Sequence, residues 1–287
     1  MFHPRYQITP RLLSNIKRVA VLAADLNRHP WPDDVVAEFE MQAAALSAHT
    51  STRIEGNPLP LTEVKRLLKS LPVHLRDSER EVANYNDALL ALNMALKKGR
   101  PGFSLKLILG IHKTVMKGLI EPYHGGRLRA EPVVVNDPGI GATVYLPPDH
   151  KDVEPLMLDL VSFVASNRKT MDPLILAGLF HKQFVIIHPF VDGNGRTARL
   201  ATKVLLAALG IDTFPLFSFE SYYSRNVSRY FREVGLSGNY YEQKETVEFT
   251  PWLEYFSDGI IDEMLRVSGD LEATSASLET TVRPHHQ

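Results

Sequence analysis

The chain contains no cysteine. Disulfides, thiolate nucleophiles and cysteine zinc sites are thereby excluded, and a reducing compartment fits the absence. It has no excess of charge of either sign: 32 Lys and Arg stand against 33 Asp and Glu, a formal net charge of −1. No global basic field points to nucleic acid or to an anionic membrane. Long apolar runs are missing, none approaching the roughly 20 residues of a membrane helix. The opening MFHPRYQITPRLL carries no apolar core of a secretory signal. A cytoplasmic protein without membrane or nucleic-acid partners is the expectation. The 287 residues, 44% hydrophobic and 23% charged, suffice for one large domain or for one with a smaller appendage.

Helical periodicity is what the chain has most of. It predicts helices over 33–56, ended by Gly56 before Asn57-Pro58, over 61–71 with Thr62 as N-cap, and over 77–98 with Ser78 and Glu81 in capping-box spacing. A fourth is expected over 104–119. From Tyr123 to Asp149 the period is lost, and the runs Val133–Val135 and Thr143–Tyr145 flank NDPGIGA, which predicts a hairpin closed by Pro147-Pro148. Helices resume over 151–167, then over 173–187 with Asp172 as cap and Pro173 in the first helical position. Others are expected from the glycines at 193–195 to Gly210, over 218–234 and over 250–267. The Ser/Thr-rich end reads as a mobile tail or linker. The expected fold is mainly α with one β-hairpin, divided into a helical region at 1–60, a core at 61–268 and a tail at 269–287.

Chemistry concentrates in IIHPFVDGNGRTARL, residues 186–200. Gly193-Asn194-Gly195 lies between two helices, where the N–H groups of the second helix, its dipole and bare glycine backbone favour a phosphate. Arg196 and Arg199 are three apart and project from one face of that helix. Two guanidiniums beside such a loop suit a polyphosphate better than a single carboxylate. Asp192 can give an oxygen to Mg²⁺ shared with phosphate, and His188 can act as a general base. Taken singly, each feature has an ordinary explanation: a turn, a solvated helix face, a helix-ending His-Pro. Their joint occurrence is what asks for a site. His181, two turns before His188, reads as a packing residue with one hydrogen bond rather than a metal ligand.

HPFVDGNGRTAR resembles the signature of the Fic family, HPFx(D/E)GNGRxxR, at every specified position. FHKQFVIIHPF resembles the helix before that motif, and VYLPPDHKDVEPLM the family's substrate-positioning flap with the helix after it. The resemblance extends over roughly 61–256. It implies a Fic-type helical bundle with a hairpin flap beside the active site, and transfer of AMP from ATP to a Tyr, Thr or Ser hydroxyl of a target protein. His188 would be the base and Asp192 the Mg²⁺ ligand. Gly193, Asn194, Gly195, Arg196, Thr197, Ala198 and Arg199 would hold the phosphates, and Val144 and Tyr145 of the flap would lie against the nucleotide. Asn226 and Tyr230 would sit near the adenosine, against the plainer reading of a helix cap and a core aromatic. The 133–146 hairpin would receive the target segment by strand addition. Self-modification and a homodimer are compatible with this resemblance. A Doc-like phosphotransferase has lysine and alanine substitutions in the loop; here the glycines and Arg196 are intact.

STRIEGN, residues 51–57, resembles the family's inhibitory motif, (S/T)xxxE(G/N). Ser51 and Glu55 share a helix face near a C-terminus, where the dipole disfavours a carboxylate unless a cation meets it. The resemblance supplies Arg199 as that cation, with Ser51, Glu55 and Gly56 as the inhibitory set. Glu55 could instead orient water for removal of AMP, and a nucleotide-responsive regulatory module with little catalysis is the reading from another class.

Overall fold

The computed structural model describes residues 2–28, 31–99, 102–136, 142–211, 213, 215 and 218–282. Along these the chain forms α1 (Pro10–Arg28), α2 (Asp33–Ile54), α3 (Leu61–Lys69), α4 (Asp77–Lys98), α5 (Leu105–Val115), β1 (Val135–Asn136) and β2 (Thr143–Leu146). These are followed by α6 (His150–Asn167), α7 (Pro173–Ile187), α8 (Asn194–Ala208), α9 (Glu220–Ser224), α10 (Val227–Val234), β3 (Gly238–Asn239), α11 (Tyr240–Gln243) and α12 (Thr250–Val282). The fold is mainly α, and no described helix is long and apolar enough to cross a membrane.

The centre is α7, apolar on every side and buried along nearly its whole length, as a helix surrounded by other helices must be. Asp172 starts it: the Oδ1 accepts the N–H groups of Leu174 and Ile175 at 2.9 and 3.3 Å, and Pro173 takes the first position. Helices α8, α6 and α12 pack around it. Helix α2 packs on α4 and α9, and α1 lies along α12. In that last contact the Asn15 amide donates to Ser257 Oγ at 2.9 Å and to Asp258 Oδ1 at 2.8 Å.

Several local expectations are corrected. Helix α3 is entered from Pro60, not Thr62. Helix α4 is opened by the Glu79 carboxylate, which accepts the Arg76 N–H at 2.9 Å, so Ser78 and Glu81 are not its capping box. The helix expected over 218–234 is two, because Asn226 Oδ1 accepts the Arg229 N–H at 3.0 Å and starts α10 afresh. The hairpin forms as an antiparallel pair with Val135 opposite Tyr145, its 137–141 turn falling outside the described residues. It is not the only β element: β3 adds to β2 in parallel, Tyr145 opposite Gly238. Helix α1 lies in the region expected to be helical, though its bounds are not among the expected helices; the short α11 was not expected, and α12 continues to Val282, so 269–282 is helix where a tail was expected.

One buried ion pair joins four helices. Lys203 of α8 and Glu220 of α9 meet at 3.0 Å, both removed from water. The Lys203 ammonium also donates to Ser47 Oγ of α2 at 2.7 Å, and Glu220 accepts from Tyr85 of α4 at 2.7 Å and from Ser218 at 2.9 Å. Breaking one half of such a pair strands the other charge. Lys203→Met is therefore expected to cost about 3–5 kcal/mol in urea unfolding. In Lys203→Met/Glu220→Gln the amide can still serve Tyr85 and Ser218, and most of the loss should return. Equal destabilisation of single and double variants would refute this assignment.

Candidate active site

The HPFVDGNGR segment links α7 to α8 by two left-handed residues, His188 at φ 51° and Gly193 at φ 75°. His188 is the one non-glycine residue with positive φ among the described residues. Gly193 has no room for a side chain, since a Cβ would lie 2.5 Å from Met116 Sδ. The Asn194 side chain was expected to cradle phosphate. It is instead spent on the loop itself: Oδ1 accepts the Phe190 N–H and Nδ2 donates to the Phe190 carbonyl, both at 2.9 Å. Its amide thus mimics a backbone pairing and holds the turn shut. Thr197 and Ala198 are wholly buried.

His112 braces the loop from below, a role no local motif announces. The Gly126 N–H donates to its Nδ1 at 3.0 Å, which places the ring proton on Nε2, 3.0 Å from the Asp192 carbonyl. The ring stacks on Phe190 with centroids 3.7 Å apart. Burial first of all brings its pKa down to about 4, which keeps this arrangement neutral.

Both arginines of the motif are already engaged. Arg199 is fully buried. Its Nε donates to Ser51 Oγ at 2.7 Å, its Nη2 to the Ser51 carbonyl at 2.9 Å and to Glu55 Oε1 at 2.6 Å, and its Nη1 to the Tyr230 hydroxyl at 3.3 Å. Burial disfavours this cation, but Glu55 and the phenols around it outweigh burial and hold its pKa above the usual value. Glu55 ends α2, and Gly56 at φ 95° turns the chain away. The carboxylate lies directly over the first turn of α8: a Cβ on Gly195 would be 2.1 Å from Glu55 Oε1. An anion thus rests on the helix N-terminus, and it belongs to the protein. Arg196 pairs with Glu81 of α4 and, at 3.1 Å, with Asp192. Glu81 also accepts from the Asn57 amide at 2.6 Å, so this strut joins the end of α2 to the loop. Its spacing in sequence gave no sign of that role.

The weaker site expectations resolve differently. Tyr230 is not open to a nucleoside; it is buried under Arg199 and passes a hydrogen bond to His181 at 3.1 Å. His181, expected to make one hydrogen bond, makes two, the second to Thr202 Oγ1 at 2.9 Å, and Thr202 in turn donates to the Ala198 carbonyl at 2.7 Å. With a neutral ring the direction is set: Arg199 to Tyr230 to His181 Nε2, then Nδ1–H to Thr202. Asn226 is exposed but its oxygen caps α10. Tyr145 points inward, its hydroxyl 3.0 Å from the Ile186 carbonyl, while Val144 takes the opposite, half-exposed face of the flap.

His188 keeps its side chain at the mouth of the loop. Its Nδ1 is buried without a full hydrogen bond, although the Val185 backbone acts on the ring. Burial, above all else, lowers its pKa to about 4, so the ring is neutral at physiological pH. Asp192 has a side chain 59% exposed, and its Oδ1 takes the Gly193 N–H and Arg196, leaving Oδ2 without a partner among the described residues. No cluster of three or more metal-type ligands occurs among the described residues. One free carboxylate oxygen fits Mg²⁺ held jointly with phosphate oxygens and water rather than in a protein cage.

Residues 102–206 match the Fic/DOC family. That segment is similar to Fic domains. Protein adenylyltransferase Fic of Aedes aegypti is 31% identical over 175 residues, 60% of this chain and 34% of that protein. The protein of the same description from Drosophila erecta is 32% identical over 164 residues, 56% and 31% of the two chains. The chain thus spans about a third of the length of these relatives. A Fic family protein from Desulfovibrio desulfuricans matches in fold with a TM-score of 0.73 at 21% identity, covering 100% of this chain and 79% of that one. A Fic domain-containing signaling protein from Bacteroides thetaiotaomicron gives 0.72 at 21% identity, over 90% and 97%.

The neutral histidines set an acid limit on the stability of the fold. His181 falls to about 3, chiefly by burial and then through Arg199, against about 6.5 when unfolded. The unfolded chain binds the extra proton, so stability is intact above about pH 6.5 and is lost as the pH falls toward 3. Urea unfolding between about pH 7 and pH 5 should show this decline. His181→Gln should make it shallower by about one proton, about 1.4 kcal/mol per pH unit. An unchanged slope would refute the buried neutral ring.

Proposed function

We propose that this chain is a protein adenylyltransferase that moves AMP from ATP to a protein hydroxyl and is held inactive by its own Glu55. The observation that carries the reading is the Glu55 carboxylate seated over Gly195 and bonded to Arg199 at 2.6 Å. A helix N-terminus with two arginines is an anion site, and here a carboxylate already fills it.

In the reaction, the hydroxyl oxygen of the target attacks the α-phosphorus in line, the bond to the bridging oxygen breaks, and pyrophosphate leaves. His188 Nε2 takes the hydroxyl proton; a pKa of about 4 keeps its lone pair free for this at neutral pH. The amides of Asn194 and Gly195 would face the oxygens on which charge develops, that of Gly193 being engaged by Asp192 Oδ1. Asp192 would hold Mg²⁺, which would neutralise charge on the phosphates. Arg196 and Arg199 would clamp the β- and γ-phosphates. As long as Glu55 occupies Arg199, the γ-phosphate lacks its partner and ATP cannot lie with its α-phosphorus before His188. The flap edge at 133–136 would receive the target segment through its main chain.

One second reading has its own support. Glu55 Oε2 has no partner among the described residues and its side chain is 25% exposed, so it could orient water for removal of AMP from a modified protein.

The test uses ATP labelled on the α-phosphate with Mg²⁺, applied to wild type, Glu55→Gly and Glu55→Gly/His188→Ala. Weak self-labelling is expected in wild type, labelling stronger by about tenfold or more on loss of Glu55, and none in the double variant. Equal labelling with and without Glu55 would end the inhibition claim. Labelling that survives loss of His188 would end its assignment as base. Release of AMP from labelled protein by wild type but not by Glu55→Gly would favour the second reading.

A further inference from the structure

We infer that Arg129, outside the Fic signature, is the positioning residue that fastens the flap to the turn carrying His188, so that it governs the rate of transfer without binding ATP. The inference rests on the reading of His188 as base.

The last carbonyls of a helix have no partners within it. Those around the end of α7 are met from the flap segment. The Tyr145 hydroxyl donates to the Ile186 carbonyl at 3.0 Å, Arg129 Nε to the His188 carbonyl at 2.8 Å, and the Arg129 backbone N–H to the Pro189 carbonyl at 2.9 Å. The remaining fork of the same guanidinium reaches both ends of the flap: Nη1 donates to the Glu131 carbonyl at 3.1 Å where the flap begins, and Nη2 to the Pro148 carbonyl where it ends. One side chain, 3% exposed, thereby ties three separate stretches of backbone.

The choice of arginine follows from these partners. Three carbonyls in three directions need a planar fork of donors, which lysine does not have. No carboxylate lies within ion-pair distance of Arg129 among the described residues, so its charge is met by carbonyl dipoles, those of the C-terminal end of α7 included. The turn it holds is the unusual one. A left-handed histidine persists only where the surroundings over-determine it, and Arg129 bonds directly to the His188 carbonyl. None of its hydrogen bonds reaches the 193–199 phosphate face.

Two effects should therefore separate. The phosphate loop, Arg196 and Arg199 stay intact without Arg129, whereas the alignment of base, flap and target hydroxyl does not. A displacement on the order of 1 Å at reacting groups costs about 100-fold in rate.

The experiment compares Glu55→Gly with Glu55→Gly/Arg129→Met and Glu55→Gly/Arg129→Lys. Thermal unfolding first establishes which variants fold; if the methionine variant does not, the lysine variant is judged. The expected result is an ATP Kd within about threefold of the parent and a kcat lower by about 100-fold. Free guanidinium should restore part of the rate in Glu55→Gly/Arg129→Ala and none in the parent. An unchanged kcat, or ATP affinity falling in step with kcat, would overturn the inference. The ring signals of His188 in NMR spectra give a readout that needs no turnover: they should shift in the Arg129 variants. Unshifted His188 signals would overturn it even if the parent transferred no AMP, an outcome that counts against the proposed function alone.

Discussion

A guanidinium withdrawn wholly from water must find an acceptor for nearly every N–H, and Arg199 finds them on a helix 144 residues earlier in the chain. Ser51 takes two of its bonds, Glu55 one and Tyr230 another. Much of the fold serves this one side chain. Helix α2 must end where Glu55 reaches the loop, α10 must deliver Tyr230 beneath it, and α8 must begin at bare glycine so that a carboxylate can lie on its first turn. The cost to Glu55 of sitting at a helix C-terminus is offset in the same contact.

Around that pair the site is braced by groups that do no chemistry. Asn194 shuts its own turn, His112 holds the Asp192 carbonyl from below, and Arg129 holds the His188 carbonyl from the flap. Each acts on backbone, leaving side chains free to face a ligand. The three central histidines are all kept neutral by burial, His112 and His188 at about 4 and His181 at about 3. Neutrality has a different use in each: a fixed tautomer at His112 and His181, an available lone pair at His188.

What the sequence disclosed followed how local each signal was. The patterns at 188–199 and 51–57 stand out in the sequence because their residues lie close to one another in the chain or follow a fixed spacing. Asp172 with Pro173 was readable for the same reason, being a cap that acts two and three residues away. Arg129, His112 and Glu81 were not, since their partners are carbonyls or side chains brought in by the fold and any polar residue nearby would have looked alike. Tyr145, Asn194 and Tyr230 carried the right chemistry but the wrong direction: spacing says that a side chain exists, and packing decides where it points. Strand β3 spans only Gly238 and Asn239, too few residues to have a period at all.

Helix α2 is no detachable cover. Its second half, from Ala43 to Ile54, is buried almost throughout, and Ser47 is bonded to the Lys203 ammonium inside the core. Pulling the helix away would therefore open the same interior that keeps α8 in place. Freeing Arg199 from Glu55 therefore takes only a small movement: a new rotamer of Glu55, or loosening of the single turn between Ser51 and Gly56, where the Glu55 side chain is still 25% exposed. Such a movement would alter the rim of the bay and leave the scaffold as it stands.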